Sequence, residues 1–268
     1  MAFVRTDDGV RISYTSRGEG KTTVLFMHGW AGSGAYFDET LKYLDLTRTR
    51  ALTFDMRGHG DSDKADTGYT DDRLGKDALA VADDAGAGEI AVVGFSMSGR
   101  FAQYLSVLAP KRILGQVLVA PCPASPIQLP EETRREWVSL TGDAERFKAI
   151  VAQFLSRAVD PQVIDKFGKE AAKAARAALD GTLRTLVQAS FADKVTSLQT
   201  PTLIVGGIHD GLFPPDLLRE WFKPAPCSRL AFLDSNHEIP IEQPRELAAL
   251  LEAFLAGIEP NAVSRQAL

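Results

Sequence analysis

The chain has 268 residues, of which 45% are hydrophobic and 24% charged, and its formal net charge is −5 at pH 7. That balance is the one a globular protein shows, and no apolar run approaches the roughly 18 residues of a membrane span, which excludes disorder and a spanning helix. Mild acidity and the lack of a Lys/Arg block argue against nucleic acid or an anionic bilayer as the main partner. The length allows one large domain or a core carrying an insertion. The opening MAFVRTDDGV lacks the basic start, apolar stretch and cleavage site of a secretory leader, so a cytoplasmic location is expected. Cys122 and Cys227 are far apart and in no CxxC spacing, which fits reduced thiols better than a disulfide framework or a zinc site.

In chain order, the β-branched runs at 10–14 and 24–27 flank polar residues 16–21 and predict an N-terminal hairpin. Gly20-Lys21-Thr22 imitates the end of a phosphate-binding loop. The first glycine of that motif would fall on Thr15, however, and a tight turn is the better expectation. Strand-like runs follow at 51–54, 90–93, 117–120, 203–205 and 230–233, several of them unbroken and apolar as in strands buried on both faces of a parallel sheet. Helical patterns at 73–84, 99–108 and 244–255 separate them, the last with Leu247, Leu250, Leu251 and Phe254 on one face. This alternation predicts an α/β fold with a mainly parallel sheet and right-handed crossovers.

Between residues 121 and 198 no strand pattern occurs. Phe147, Ile150, Val151, Phe154 and Leu155 share one helical face, Asp160 before Pro161 reads as a helix start, and the alanine-rich 171–178 has high helix propensity. This interval is expected to be a helical cap on a core made of residues 1–120 and 199–268. Its eleven Lys/Arg against ten Asp/Glu leave it nearly neutral, so it is not built to gather strongly charged substrates. A loose tail is expected at 261–268.

Gly94-Phe95-Ser96-Met97-Ser98-Gly99 carries an apolar strand into a helix through a turn of small residues. Such a turn forces its central residue into a strained conformation and requires small neighbours, here Gly94 and Ser98; the G-x-S-x-G pattern would place glycine at Ser98. The other candidate pieces are His28-Gly29-Trp30, Asp55-Met56-Arg57-Gly58-His59-Gly60-Asp61-Ser62, His209-Asp210, and Asn236-His237 before the final helix. Each lies just beyond a predicted strand, where α/β sheets assemble ligand sites.

These five pieces, in this order, resemble the α/β-hydrolase superfamily over essentially the whole chain. The resemblance implies an α/β-hydrolase fold, with a helical cap after strand six and a triad in the order serine, acid, histidine. Ser96 is then the nucleophile, His237 the base that takes its proton, and Asp210, rather than Asp193, Asp216 or Asp234, the carboxylate that orients the imidazole. The family pattern places the oxyanion against the backbone N–H groups of Met97 and Trp30. His28 and His59 are expected to brace loops, and His209 to point away from the site. No two histidines have the i, i+4 spacing of a metal site, so no zinc is expected, and the triad chemistry that the resemblance implies requires no cofactor. Candidate pocket residues are Phe95, Phe37, Cys122, Trp137 and Phe213, with core packing an equal alternative for each.

The resemblance implies hydrolysis of a small, neutral, partly apolar carboxylic ester or lactone through an acyl-serine. Activity should rise with pH as His237 loses its proton. The His-Gly-Trp turn looks most like the bacterial arylesterase and cofactor-free haloperoxidase group. Serine in place of aspartate disfavours the dehalogenase and epoxide hydrolase branches. Two alternatives stay open: a carbon–carbon bond hydrolase or thioesterase with the same triad, and a ligand receptor on the same fold.

Overall fold

The computed structural model describes residues 1–258; the expected tail at 261–268 lies outside the described residues. Eight strands form one sheet: β1 (Ala2–Arg5), β2 (Arg11–Arg17), β3 (Thr22–Met27), β4 (Thr49–Phe54), β5 (Ile90–Phe95), β6 (Ile113–Val119), β7 (Thr202–Gly207) and β8 (Ser228–Leu233). Their order is β1-β2-β4-β3-β5-β6-β7-β8, with β1 and β2 antiparallel and the six strands from β4 to β8 parallel. Strands β3, β5 and β7 are buried along their whole length, as their unbroken apolar sequences require.

The expected hairpin of residues 10–14 with 24–27 is corrected. β2 pairs instead with β1, through Val4↔Ile12, and with β4, through Tyr14↔Phe54. β3 passes over to the sheet centre between β4 and β5. Apolar side chains on both faces make β3 more stable with helices on either side than at a half-wet edge. The connection that held the phosphate-loop look-alike turns back against the loop before β4, where Glu19 N–H donates to Leu46 O at 3.2 Å.

In chain order the helices are α1 (Asp38–Leu41), α2 (Asp71–Asp84), α3 (Met97–Leu108), α4 (Glu131–Val138), α5 (Ala144–Gln153), α6 (Pro161–Ala171), α7 (Arg176–Gln188), α8 (Ala192–Val195), α9 (Pro215–Phe222), α10 (Ile239–Glu242) and α11 (Pro244–Ile258). Side chains alternate across β5, so Ile90 and Val92 join one core with Leu74, Ala78, Phe101 and Leu105 of α2 and α3. Ala91, Val93 and Phe95 join the other, with Leu41 of α1 and Leu247, Leu251 and Leu255 of α11. The five helices α4 to α8 occupy the interval between β6 and β7. Asp160 caps α6 as expected, accepting from Gln162 N–H at 2.9 Å with Pro161 in the first turn. The alanine run does not continue that helix. The chain breaks between α6 and α7, where Ala175 N–H donates to Gly58 O at 2.8 Å, and this long-range bond outweighs intrinsic propensity.

Candidate active site

β5 ends at Phe95 and α3 begins at Met97, so Ser96 takes the whole reversal of direction and holds φ 51°, ψ −116°. Three hydrogen bonds fix it there: its N–H donates to Val119 O at 2.8 Å, and its carbonyl accepts from Gly99 N–H at 3.0 Å and Cys122 N–H at 2.9 Å. Gly94 has no room for a side chain, since a Cβ would lie 2.4 Å from Ser98 O. Ser98, where the pattern has glycine, is fully buried and donates its hydroxyl to His28 O, tying the new helix to the end of β3. Met97 is the first helical residue, so its N–H has no intrahelical acceptor.

The loops after β7 and β8 bring two further groups to this serine. His237 Nε2 lies 2.9 Å from Ser96 Oγ, and His237 Nδ1 lies 2.8 Å from Asp210 Oδ2. A carboxylate only accepts, so Nδ1 carries the proton and Nε2 is left free to accept from the serine hydroxyl. The imidazole is 4% exposed and packed among Phe95, Phe154 and Phe213, with ring centroids 5.3 to 5.8 Å away. Burial alone would raise the Asp210 carboxyl. The facing His237 and the N–H groups of Phe213 and Leu212, which donate to Oδ1 at 2.9 and 2.8 Å, instead hold it below the usual carboxylate range. Asp234 faces elsewhere, pairing with His209 at 2.8 Å and Arg157 at 2.9 Å on the surface.

Trp30 follows Gly29 in the turn after β3. A Cβ on Gly29 would lie 2.8 Å from the Phe95 ring and 3.4 Å from Ser96 Cβ, so only glycine lets this backbone approach the serine so closely. His28 braces the turn, donating from Nδ1 to Gly29 O at 2.8 Å and accepting Met56 N–H on Nε2 at 3.0 Å. His59 donates to Arg57 O at 3.0 Å and sets its ring edge-on to His28 at 5.0 Å.

Two hollows meet at Ser96. One takes in about 550 Å³, including space open to solvent, and is lined by Trp30, Tyr36, Phe95, Phe147, Ile150, Val151, Phe154, Phe167, His237 and Glu238 among others. The other takes in about 870 Å³, likewise including space open to solvent, and is lined by Met97, Cys122, Leu183, Leu186, Phe213 and Trp221 among others. Trp30, Ser96, Trp137 and Leu212 border both. Trp30 is fixed at this partition by its ring contact with Trp137 at 5.5 Å and by its indole N–H, which donates to Leu179 O at 3.1 Å. Phe95, Trp137, Cys122 and Phe213 thus stand around the serine. Phe37 does not: it is fully buried against Phe26 at 5.0 Å, because Tyr36, one residue earlier on the same single turn, takes the side facing the hollow. The apolar face of α5 was visible in the sequence, but its place over Ser96 was not. Glu242 was missed as well. Its Oε2 accepts from Ser235 Oγ at 2.9 Å and Asn236 N–H at 3.0 Å, and its Oε1 from Ser156 N–H at 2.8 Å, so it anchors the loop carrying His237 to the segment after α5.

A family model described as the alpha/beta hydrolase fold matches residues 22–157, and the chain belongs to the α/β-hydrolase family. A non-heme haloperoxidase from Rhodococcus erythropolis is 26% identical over 80% of this chain and 84% of its own length. The 3-oxoadipate enol-lactonase 1 of Acinetobacter baylyi is 24% identical over 78% of this chain and 80% of its own. Among solved structures, an esterase from Exiguobacterium antarcticum superposes with a TM-score of 0.84 at 19% identity, covering 95% of this chain and 99% of that one. The expected fold and the likeness to esterases and haloperoxidases therefore hold.

Proposed function

We propose that the protein hydrolyses small, neutral, partly apolar carboxylic esters or lactones through an acyl-Ser96 intermediate. The observation that carries this is the unbroken chain Ser96 Oγ, His237, Asp210, with links of 2.9 and 2.8 Å, at a serine held with positive φ. Ser96 Oγ attacks the carbonyl carbon while His237 Nε2 takes its proton, and Asp210 keeps the imidazole in the tautomer that can do so. The backbone N–H groups of Met97 and Trp30 receive the developing oxyanion. His237 then protonates the departing alkoxide, and water deprotonated by the same nitrogen releases the acid.

Residues 121–198 act in this reading as a cap over the core of 1–120 and 199–268. Among the described residues neither hollow is lined by Lys or Arg, which supports a neutral substrate over a carboxylate-bearing one. The names of the esterase and enol-lactonase relatives support ester and lactone hydrolysis as the reaction class.

The test is labelling by a fluorophosphonate together with burst kinetics on a short aryl ester. Wild type should label at Ser96 and show an acyl-enzyme burst, and Ser96→Ala and His237→Ala should each lose at least about 10³-fold in kcat with the fold retained. A wild type that neither labels nor turns over ester would favour a ligand-binding role on this fold.

A further inference from the structure

The smaller hollow is apolar almost throughout, yet two of its lining residues hold a buried polar atom with no hydrogen-bond partner: Tyr36 through its hydroxyl and Glu238 through Oε2. Both residues are nine-tenths buried or more, at 5% and 6% exposed. Unsatisfied polar atoms at such depth are rare, and a few polar groups converging in an apolar cleft are the usual means of orienting a ligand. Neither group is needed to hold the fold. The Tyr36 ring is already fixed by stacking on Phe95, at 4.8 Å and 12°, and by Phe167 at 5.2 Å. The Glu238 backbone is fixed by Ile241 N–H and Glu242 N–H, which donate to its carbonyl at 3.1 and 2.9 Å. Glu238 follows His237 in the chain and lines the same hollow as Ser96 and His237.

We propose that Tyr36 and Glu238 form a hydrogen-bonding subsite that selects esters carrying a neutral oxygen function, a hydroxyl or a carbonyl, beside the scissile bond. Burial, with Glu242 next, pushes the Glu238 carboxyl up to about 8, so at pH 7 it carries a proton and both donates and accepts. The charged groups around it are few. Glu242 ends α10, which Glu238 immediately precedes, and His237 comes before Glu238 in the chain, while Arg157, after α5, reaches Glu242 Oε1 at 3.8 Å. Among the described residues no other charged residue lines the hollow. The subsite rests on the hydrolase reading for the place of the scissile bond, but not for its existence.

Binding to Ser96→Ala by calorimetry tests it without turnover. One pair of probes, phenyl 3-hydroxybutyrate and phenyl butyrate, puts the hydroxyl on the acyl side, and a second, 3-hydroxypropyl benzoate and propyl benzoate, puts it on the alcohol side. In one pair the hydroxylated member should bind about tenfold tighter at pH 7, as expected when a buried group otherwise goes unpaired. Adding Glu238→Leu should abolish that preference, Tyr36→Phe should reduce it, and Glu238→Gln, which keeps a donor and the volume, should retain it. No preference in either pair, or a preference unchanged by Glu238→Leu, overturns the subsite. Wild-type turnover of the same four esters reports separately: preference without turnover removes the hydrolase reading and leaves the subsite, and turnover without preference does the reverse.

Discussion

Asp210 shows how little freedom a single residue has here. Its Oδ1 is filled by two backbone N–H groups and its Oδ2 faces His237 at 2.8 Å, so one carboxylate both shapes its loop and orients the imidazole. Asp210→Asn keeps the size but offers an amide to Nδ1. The proton is then displaced to Nε2, where it blocks acceptance from Ser96. The expected outcome is a kcat about 10⁴-fold lower with an unchanged circular dichroism spectrum, and full activity in this variant would show that another acid serves. The sequence offers Ser96, Asp210 and His237 as candidates because each follows a strand end inside a local motif, and the structure brings the three within hydrogen-bonding distance. Tyr36, Glu238 and Glu242 could not, because their roles depend on which distant segment closes over them. Glu242 in particular acts on Ser156, 86 positions away in the chain.

At the scale of elements, Arg100 of α3 makes the most hydrogen bonds to the interval between β6 and β7, beside Gln103, which donates to Cys122 O at 3.0 Å, and Tyr104, which packs on Phe191 at 5.0 Å. Arg100 is fully buried and forms a double hydrogen bond to Asp71 of α2, both links 2.8 Å. Its remaining donors reach the carbonyls of Pro123, Ala124 and Ser125 at 3.1 to 3.2 Å, where the chain leaves β6, and of Ala189 at 2.9 Å, just after α7. Arg100→Met strands a buried carboxylate and takes a donor from four carbonyls, of which Ala124 O keeps Phe191 N–H at 3.2 Å, and should cost about 3–5 kcal/mol in urea denaturation. Limited proteolysis of this variant should cut first within 121–198, and adding Asp71→Asn should recover part of the loss by removing the stranded charge. An Arg100→Met protein as stable as wild type would show the contacts to be incidental. Nothing in the local sequence marks Arg100, which sits in a helix among apolar neighbours. Element type was readable from periodicity, whereas partnership was not. The β2–β3 hairpin failed because the pattern of β3 specifies two buried faces but not which strands lie beside it. The alanine run failed because one backbone bond to Gly58 decides where α6 stops.

The whole molecule adds these local choices into a dependence of stability on pH. Burial pushes His28 down to about 4 and His59 to about 3, the latter also through repulsion from His28. Both are therefore neutral when folded, yet bind a proton below about 6.5 when unfolded. Between those values the unfolded chain holds more protons, so stability rises with pH and is lost as pH falls from about 6.5, by a few kcal/mol for each ring. Glu238 has the opposite sign. Raised to about 8 from 4.5, it holds a proton in the folded state that the unfolded chain has released, so stability falls as pH rises across that interval. Asp210, held below its ordinary value, contributes only at the acid end, where its stabilisation is lost as pH falls through the lowered value. From 4.5 to 6.5 two histidines oppose one glutamate and stability climbs; from 6.5 to 8 the glutamate acts alone and stability declines. Urea midpoints measured from pH 4.5 to 8.5 should therefore pass through a maximum near pH 6.5. Glu238→Gln should remove the decline on the alkaline side and leave the acid side steeper, since the opposing carboxyl is gone. A wild-type profile that stays flat from 6.5 to 8, or a decline that survives in Glu238→Gln, would mean that Glu238 does not carry its proton in the folded protein at neutral pH.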